Sequence, residues 1–201
     1  MLSHSTSLLS NCAHGCGHDL HQKRPSWSPF DILTYMSETI EVSYTQATLC
    51  FPIKGDKVLL AEKQRKIGAG FLNGFGGRAE AEDGSIYDTN TREIEEEIGI
   101  IIKTAKKMGE IAFHNPSDED ELKKMRVHIF TTTEWDGEPS ETDEMKKIAW
   151  YKISSLDYDK FLSADRLFIP QILAGKCVKG LIEYNDDWSV KTYRIDEVEG
   201  F

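Results

Sequence analysis

Between Gly76 and Ile100 the chain reads GGRAEAEDGSIYDTNTREIEEEIGI, and no other stretch constrains its fold as tightly. Ser85 followed three residues later by Asp88 has the form of a capping box, and Ile86, Ile94 and Ile98 supply apolar positions behind it. The spacing predicts a helix from about Ile86 to Ile98. Gly99 is its natural stop, because glycine takes the left-handed conformation that ends a helix at no steric cost. On that helix Glu93, Glu96 and Glu97 fall at i, i+3 and i+4 and so share a face, while Ile94 and Ile98 point to another.

Three adjacent carboxylates repel. They are tolerated cheaply only if solvated or bridged by cations, and hard oxygen ligands of this kind suit Mg²⁺, with Mn²⁺ as a substitute, both of which bind substrate phosphates while keeping several waters. A generic acidic run reads as a solvated helix face. The glycine pair Gly76-Gly77 upstream, at a fixed distance from Arg92-Glu93, Glu96-Glu97 and Gly99, gives this run a more specific meaning.

With these residues in place, the segment resembles the Nudix box: a glycine, five residues, a glutamate, seven residues, Arg-Glu, an aliphatic residue, any residue, Glu-Glu, any residue, Gly and an aliphatic residue. From Arg92 to Ile100 the match is complete. Upstream there is one extra residue after Gly77, and Gly84 stands where the family has its first glutamate, with Asp83 or Glu82 as substitutes from the longer loop. The resemblance runs on through KQRKIGAGFLNGFGGR (Lys63 to Arg78), MRVHIF (Met125 to Phe130), ETDEMKKIAWYKI (Glu141 to Ile153) and the tail KGLIEYNDDWSVKTYRIDEV. Together these are similar to the oxidised-purine nucleoside triphosphatase branch of the MutT-like Nudix enzymes, over roughly Ser43 to Val198.

That resemblance implies an α/β/α sandwich around a mixed β-sheet, with the catalytic box as loop, helix and loop. It implies hydrolysis of a nucleoside triphosphate, 8-oxo-dGTP among them, to the monophosphate and pyrophosphate, as in sanitation of the nucleotide pool. It also assigns roles. Glu93, Glu96, Glu97, Glu144 and the Gly76 or Gly77 carbonyl hold the metal, Arg92 orients the glutamates, and the general base is Glu96, Glu97 or Glu144. Lys63 and Arg78 flank the glycine loop as phosphate contacts. Asn73 bonds the purine, and Ile67, Phe113, Met125, Met145 and Phe168 wall a flat apolar slot suited to an aromatic base.

The departure that matters for specificity lies in LSADR, Leu162 to Arg166. The resembled enzymes carry a stacking tryptophan and two adjacent aspartates there, whereas Leu162, Ala164 and Asp165 occupy those places. A missing edge contact costs about 1 to 3 kcal/mol of base discrimination, so oxidised-purine preference is expected to be weakened or shifted. A broader diphosphatase acting on other nucleoside diphosphate derivatives, or a non-catalytic nucleotide-binding regulator, stand as the other readings. The intact Glu93, Glu96 and Glu97 speak against the regulator.

Composition narrows the partners. A net charge of −10 argues against tracking along DNA or RNA by phosphate neutralisation, so the expected partner is a small nucleotide and the expected state a monomer. The 201 residues, 39% hydrophobic, suffice for one core. No apolar run reaches the length of a membrane span. Only four cysteines occur, Cys12, Cys16, Cys50 and Cys177, and the last two lie in strand-like or helix-end contexts with no paired spacing, which favours a reducing, cytoplasmic setting.

Residues 1–35 are rich in Ser and His without a period and read as a leader or a non-native start, with residues 36–201 as the hydrolase domain and Met36 as an alternative start. Cys12, His14, Cys16, His18 and His21 are zinc-type ligands at a spacing wrong for a finger. Further along, strands are expected over Ser43–Phe51, Lys57–Lys63, Lys107–Phe113, Lys124–Thr133 and Lys147–Ile153. A second helix over Ala164–Ala174 is opposed by Pro170, and Leu181–Tyr184 with Ser189–Ile195 form a closing hairpin.

Overall fold

The computed structural model describes residues 44–65, 67–117 and 119–201. The Met36 boundary and the Cys12–His21 cluster lie outside them. Ten strands form in chain order: β1 Thr45–Lys54, β2 Lys57–Lys63, β3 Leu72–Asn73, β4 Ile101–Ile102, β5 Lys106–His114, β6 Lys124–Thr132, β7 Trp135–Asp136, β8 Met145–Lys152, β9 Cys177–Tyr184 and β10 Val190–Val198. The helices are α1 Ile86–Ile98, the single turn α2 Asp120–Lys123, and α3 Asp165–Leu173. None among the described residues is long and apolar enough to cross a membrane.

The main sheet runs β10-β9-β5-β6-β1-β2-β3, with β8 also paired to β2. It is mixed, since β1–β6 and β5–β9 are parallel whereas β1–β2, β5–β6 and β9–β10 are antiparallel. Alternation along the strands builds two cores. Phe51, Leu60, Ile111 and Ile129 face Phe168, Ile169 and Ile172 of α3, while their strand neighbours Cys50, Leu59 and Phe130 face Ile94 and Ile98 of α1. The expected sandwich is therefore present, with one helix on each face.

Several elements run past their expected limits. β1 continues through Pro52 to Lys54, and the hairpin to β2 closes on Gly55, whose φ of 62° suits the turn. β9 begins at Cys177, four residues early, because its parallel pairing with β5 from Gly109↔Val178 supplies long-range partners invisible to local pattern. Helix α3 forms despite Pro170. The lost hydrogen bond is outweighed by burying Phe168, Ile169 and Ile172, each 1% exposed or less.

The site is positioned by one feature of β1. On one side it pairs with β6 throughout, but on the other β2 reaches only Ile53 and Lys54. Residues 75–79 fill the vacated edge: Thr48 N–H donates to the Gly77 carbonyl (2.8 Å), Phe75 N–H to the Cys50 carbonyl (3.0 Å) and Ala79 N–H to the Gln46 carbonyl (2.9 Å). The glycine loop is thus a sheet-anchored segment laid against α1.

Candidate active site

Helix α1 begins and ends as its residues dictate. Ser85 accepts the Asp88 N–H as N-cap, and Gly99 closes the other end at φ 74°. Ile94 and Ile98 are fully buried against the sheet, which fixes the helix's rotation and aims Glu93 and Glu97 at the glycine loop. Gly77 lies so close to the Glu93 carboxylate that a Cβ there would collide with it, and one on Gly76, whose φ is 147°, would strike the Thr48 carbonyl. Only glycine allows this approach.

The carboxylates are not equivalent. Glu97 is 7% exposed, and its Oε2 accepts the Gly76 N–H at 2.7 Å. Burial pushes it up to about 8, with Glu93 and Glu144 adding to the rise while Lys63 and the Gly76 N–H oppose it. Glu97 is driven inward because it follows Ile94 by three residues and precedes Ile98 by one. Glu96 alone of the three is open, its side chain 62% exposed and 3.4 Å from Arg92 Nη1.

Arg92 organises this end of the helix. It bonds Glu93 Oε1 (3.0 Å), the Arg78 carbonyl (3.0 Å) and both oxygens of Asp83 (3.0 and 2.8 Å). Of the two loop acids it is Asp83, not the exposed Glu82, that reaches Arg92, and it also accepts the Glu80 N–H and the Thr89 hydroxyl. The Arg92 guanidinium holds the Asp83 carboxyl far below the usual carboxylate range.

The fourth carboxylate, Glu144, precedes β8 and comes from across the sheet. Lys63 Nζ lies 3.9 Å from its Oε1, and Arg65 donates to its Oε2 from Nε (2.9 Å), with Nη2 2.8 Å from the same oxygen. Lys63 sits within the field of Glu97 and of Asp165 as well, so it stands between the acidic cluster and the N-terminus of α3. Arg78 is exposed, its backbone bridged to Ala47 and its carbonyl held by Arg92.

Leu162, Asn73 and Lys63 converge on Gly68, their nearest atoms within 3.5 to 3.9 Å of where its Cβ would stand. Asn73 Oδ1 is buried without a hydrogen-bond partner, and the Asp165 side chain is buried at 8% exposure. Burial pushes the Asp165 carboxyl up to about 7 against the pull of Lys63. Phe113 packs edge-on to Phe168, with ring centroids 6.3 Å apart, and flat against Tyr184 at 6.4 Å. Met125 is half-buried against the same core, and Ile67 is half-buried in the loop before Gly68. Met145 is apart from these: it is fully buried on the α1 side of the sheet with Cys50, Leu59 and Phe75.

Two residues of this region escaped sequence reasoning. Arg65 had no signal except its place in KQRK, and Tyr184, beside Asp165 and Phe113, only the alternation of IEY. Surface cavities of about 440 Å³ (Ser163, Leu167, Thr192) and 450 Å³ (Lys103, Thr133, Trp135) hold none of the carboxylates.

Among the described residues no three side chains close into a ready metal cage. The donor set nonetheless fits Mg²⁺, which is held by one or two carboxylates, waters and substrate phosphates. Glu93 against Gly77, Glu97 against Gly76 and the nearby Glu144 supply hard oxygens at close quarters, and like-charge crowding in a buried setting favours a cation.

A family model described as a NUDIX domain matches residues 43–172. An oxidized purine nucleoside triphosphate hydrolase of Danio rerio is 35% identical over 152 residues, covering 76% of this chain and 94% of that protein. Its namesake in Mus musculus is 32% identical over 154 residues, covering 77% and 96%. Among solved structures, a MutT protein from Bacillus halodurans superposes with a TM-score of 0.66 at 27% identity, covering 76% of this chain and 97% of that one. A MutT NUDIX hydrolase from Burkholderia pseudomallei shares the fold with a TM-score of 0.55 at 20% identity, covering 65% and 98%.

Proposed function

This chain belongs to the NUDIX family, and from that premise we propose that it hydrolyses purine nucleoside triphosphates, oxidised ones among them, to the monophosphate and pyrophosphate. The observation that carries this reading is the placing of the buried Oδ1 of Asn73 and the buried side chain of Asp165 near Lys63, which borders the acidic cluster. A buried oxygen without a partner is costly in the free protein and becomes an asset when a ligand supplies the missing donor. Asn73 offers such an oxygen, and Asp165, pushed toward neutrality, offers a proton as well as an acceptor. A flat purine edge presents both kinds of group.

Glu93, Glu97, Glu144 and the Gly76 or Gly77 carbonyl would hold Mg²⁺, or Mn²⁺ in its place; bound there, the ion supplies charge neutralisation for phosphate oxygens and a more acidic water. The chain's own residues do the rest. Arg92, fixed by Asp83, keeps Glu93 aimed at Gly77. Lys63 faces the triphosphate path between base and carboxylates. A water adds across the anhydride bond: its oxygen bonds to the attacked phosphorus, the bridging oxygen departs with the other phosphoryl group, and the proton passes to Glu97 or Glu144, the carboxylates that border Lys63. Glu96 is turned toward Arg92 and is the least suited to that role of the three.

Leu162 in place of a stacking ring and Ala164 in place of an aspartate argue for a less selective base pocket than a full pair of acids would give. The test is a side-by-side panel of dGTP, dATP, 8-oxo-dGTP and 2-hydroxy-dATP, with ADP-ribose and a dinucleotide polyphosphate as comparators, measuring pyrophosphate and monophosphate release with Mg²⁺. Cleavage of the purine triphosphates above the comparators is expected. Faster turnover of ADP-ribose or the dinucleotide would replace this reading with the broader diphosphatase.

A further inference from the structure

Arg65 is 60% exposed, yet its guanidinium is committed to one carboxylate oxygen, Glu144 Oε2, from two nitrogens at 2.8 and 2.9 Å. Glu144 is only 14% exposed and adds to the repulsion felt by Glu97. The backbone that carries Arg65 is fastened at its root. Gln64 N–H donates to the Glu144 carbonyl (2.9 Å), Lys63 N–H to the Phe71 carbonyl (3.1 Å) and Gly70 N–H to the Lys63 carbonyl (2.7 Å). The side chain can therefore swing without moving its anchor, and the segment that carries it includes Lys63 and Gly68, which lie beside Asn73 and Leu162.

An ion pair with one exposed partner is weak and exchangeable. A divalent cation binding Glu144 would compete for the very oxygen that Arg65 holds. Once displaced, a guanidinium fork beside a polyphosphate path has a matching anion to bind, and Arg–phosphate contacts are charge-assisted and often bidentate.

We propose that Arg65 is an exchangeable positioning residue: it is the counter-ion of Glu144 in the nucleotide-free enzyme and passes to a substrate phosphate when a divalent cation takes Glu144. This rests on the metal-dependent NUDIX reading above and adds a device to it. Arg65 thereby links cation loading to phosphate capture, and makes binding of the two partners cooperative.

The experiment uses the full chain with Arg65→Ala, Arg65→Lys, Glu144→Gln and the Arg65→Ala/Glu144→Gln double variant. Mn²⁺ affinity without nucleotide is read by electron paramagnetic resonance of the free ion, and kcat and KM are read separately with the triphosphate. Arg65→Ala is expected to bind Mn²⁺ about two- to fivefold more tightly, since a weak competitor has been removed. Its KM should rise roughly tenfold while kcat changes by less than about twofold, through loss of a charge-assisted phosphate contact. Arg65→Lys should restore the Mn²⁺ affinity but only part of the KM. In the Glu144→Gln background, Arg65→Ala should no longer alter Mn²⁺ binding.

Unchanged or weakened Mn²⁺ binding in Arg65→Ala, with melting temperature and wild-type Mn²⁺ binding intact, overturns the exchange while leaving the NUDIX reading standing. No saturable Mn²⁺ binding by the wild type overturns both.

Discussion

Asp83 accepts Arg92 with both carboxylate oxygens, Nε on Oδ1 at 3.0 Å and Nη2 on Oδ2 at 2.8 Å, although it stands one position ahead of Gly84, where the family pattern has a glutamate. The longer loop is the reason. The extra residue after Gly77 displaces the loop's acid, and the shorter aspartate is brought to Arg92 by bonds from the Glu80 N–H and the Thr89 hydroxyl.

Asp83→Asn should therefore lower kcat by about ten- to a hundredfold, the usual effect of losing a partner that orients a ligand, while Asp83→Glu overfills the loop and recovers little. Because the folded-state pKa of Asp83 lies below its unfolded value, its stabilising contribution is full above about pH 4 and disappears as pH falls through the folded value. A denaturant titration should show a narrower gap between wild type and Asp83→Asn at pH 3 than at pH 7. Equal kcat in the two proteins would mean that Glu93, Glu96 and the Arg78 carbonyl suffice to orient Arg92.

Glutamine scanning of the acidic cluster should rank its members by their placement. Glu97→Gln is expected to cost at least about a hundredfold in turnover, because a buried ligand held against Gly76 is altered, and Glu96→Gln a smaller factor, because that side chain is 62% exposed and faces Arg92. Single-turnover rates with saturating Mg²⁺ would check this. An inverted order would show that Glu96 reorients toward the substrate.

Asn73→Ala and Asp165→Ala should each lower kcat/KM for 8-oxo-dGTP by roughly five- to a hundredfold, the cost of about 1 to 3 kcal/mol for a buried edge left without its partner. Asp165→Ala should change the ratio of kcat/KM for 8-oxo-dGTP to that for dGTP more than Asn73→Ala does. Ala164→Asp carries a cost that the sequence did not reveal. Ala164 is fully buried beside Asp165, so the second acid should lower the melting temperature even where it improves the ratio. A ratio unmoved by all three changes would place the base elsewhere.

Acid sensitivity should trace in part to His128. It is 8% exposed on β6, its Nε2 donates to Gln46 Oε1 at 2.8 Å, and burial pushes it down to about 4. The unfolded chain takes up a proton near pH 6.5 while the folded one resists until about pH 4. Stability is thus full above pH 6.5 and declines as pH falls toward 4, by roughly 3 kcal/mol in total. His128→Gln should flatten that slope between pH 6.5 and 4 in urea melts, and an unchanged slope would assign the sensitivity to other groups.

Local chemistry in the sequence determined the box helix, its cap at Ser85 and stop at Gly99, and the two-faced strands. These follow from periods of 3.6 and 2 and from backbone requirements that only glycine meets, and all are short-range. Tertiary structure decided how deeply each carboxylate is buried. Glu93, Glu96 and Glu97 share a face of the helix, with Glu97 nearest and Glu96 farthest from the Ile94–Ile98 side, and packing of Ile94 and Ile98 on the sheet presses Glu97 inward and leaves Glu96 in solvent. It also chose Asp83 over Glu82, sent Met145 to the far core, and brought Arg65 and Tyr184 to Glu144 and Asp165. Those pairings join residues up to eighty positions apart, and their energy comes from contacts that exist only once the sheet has set its register; no local periodicity encodes them.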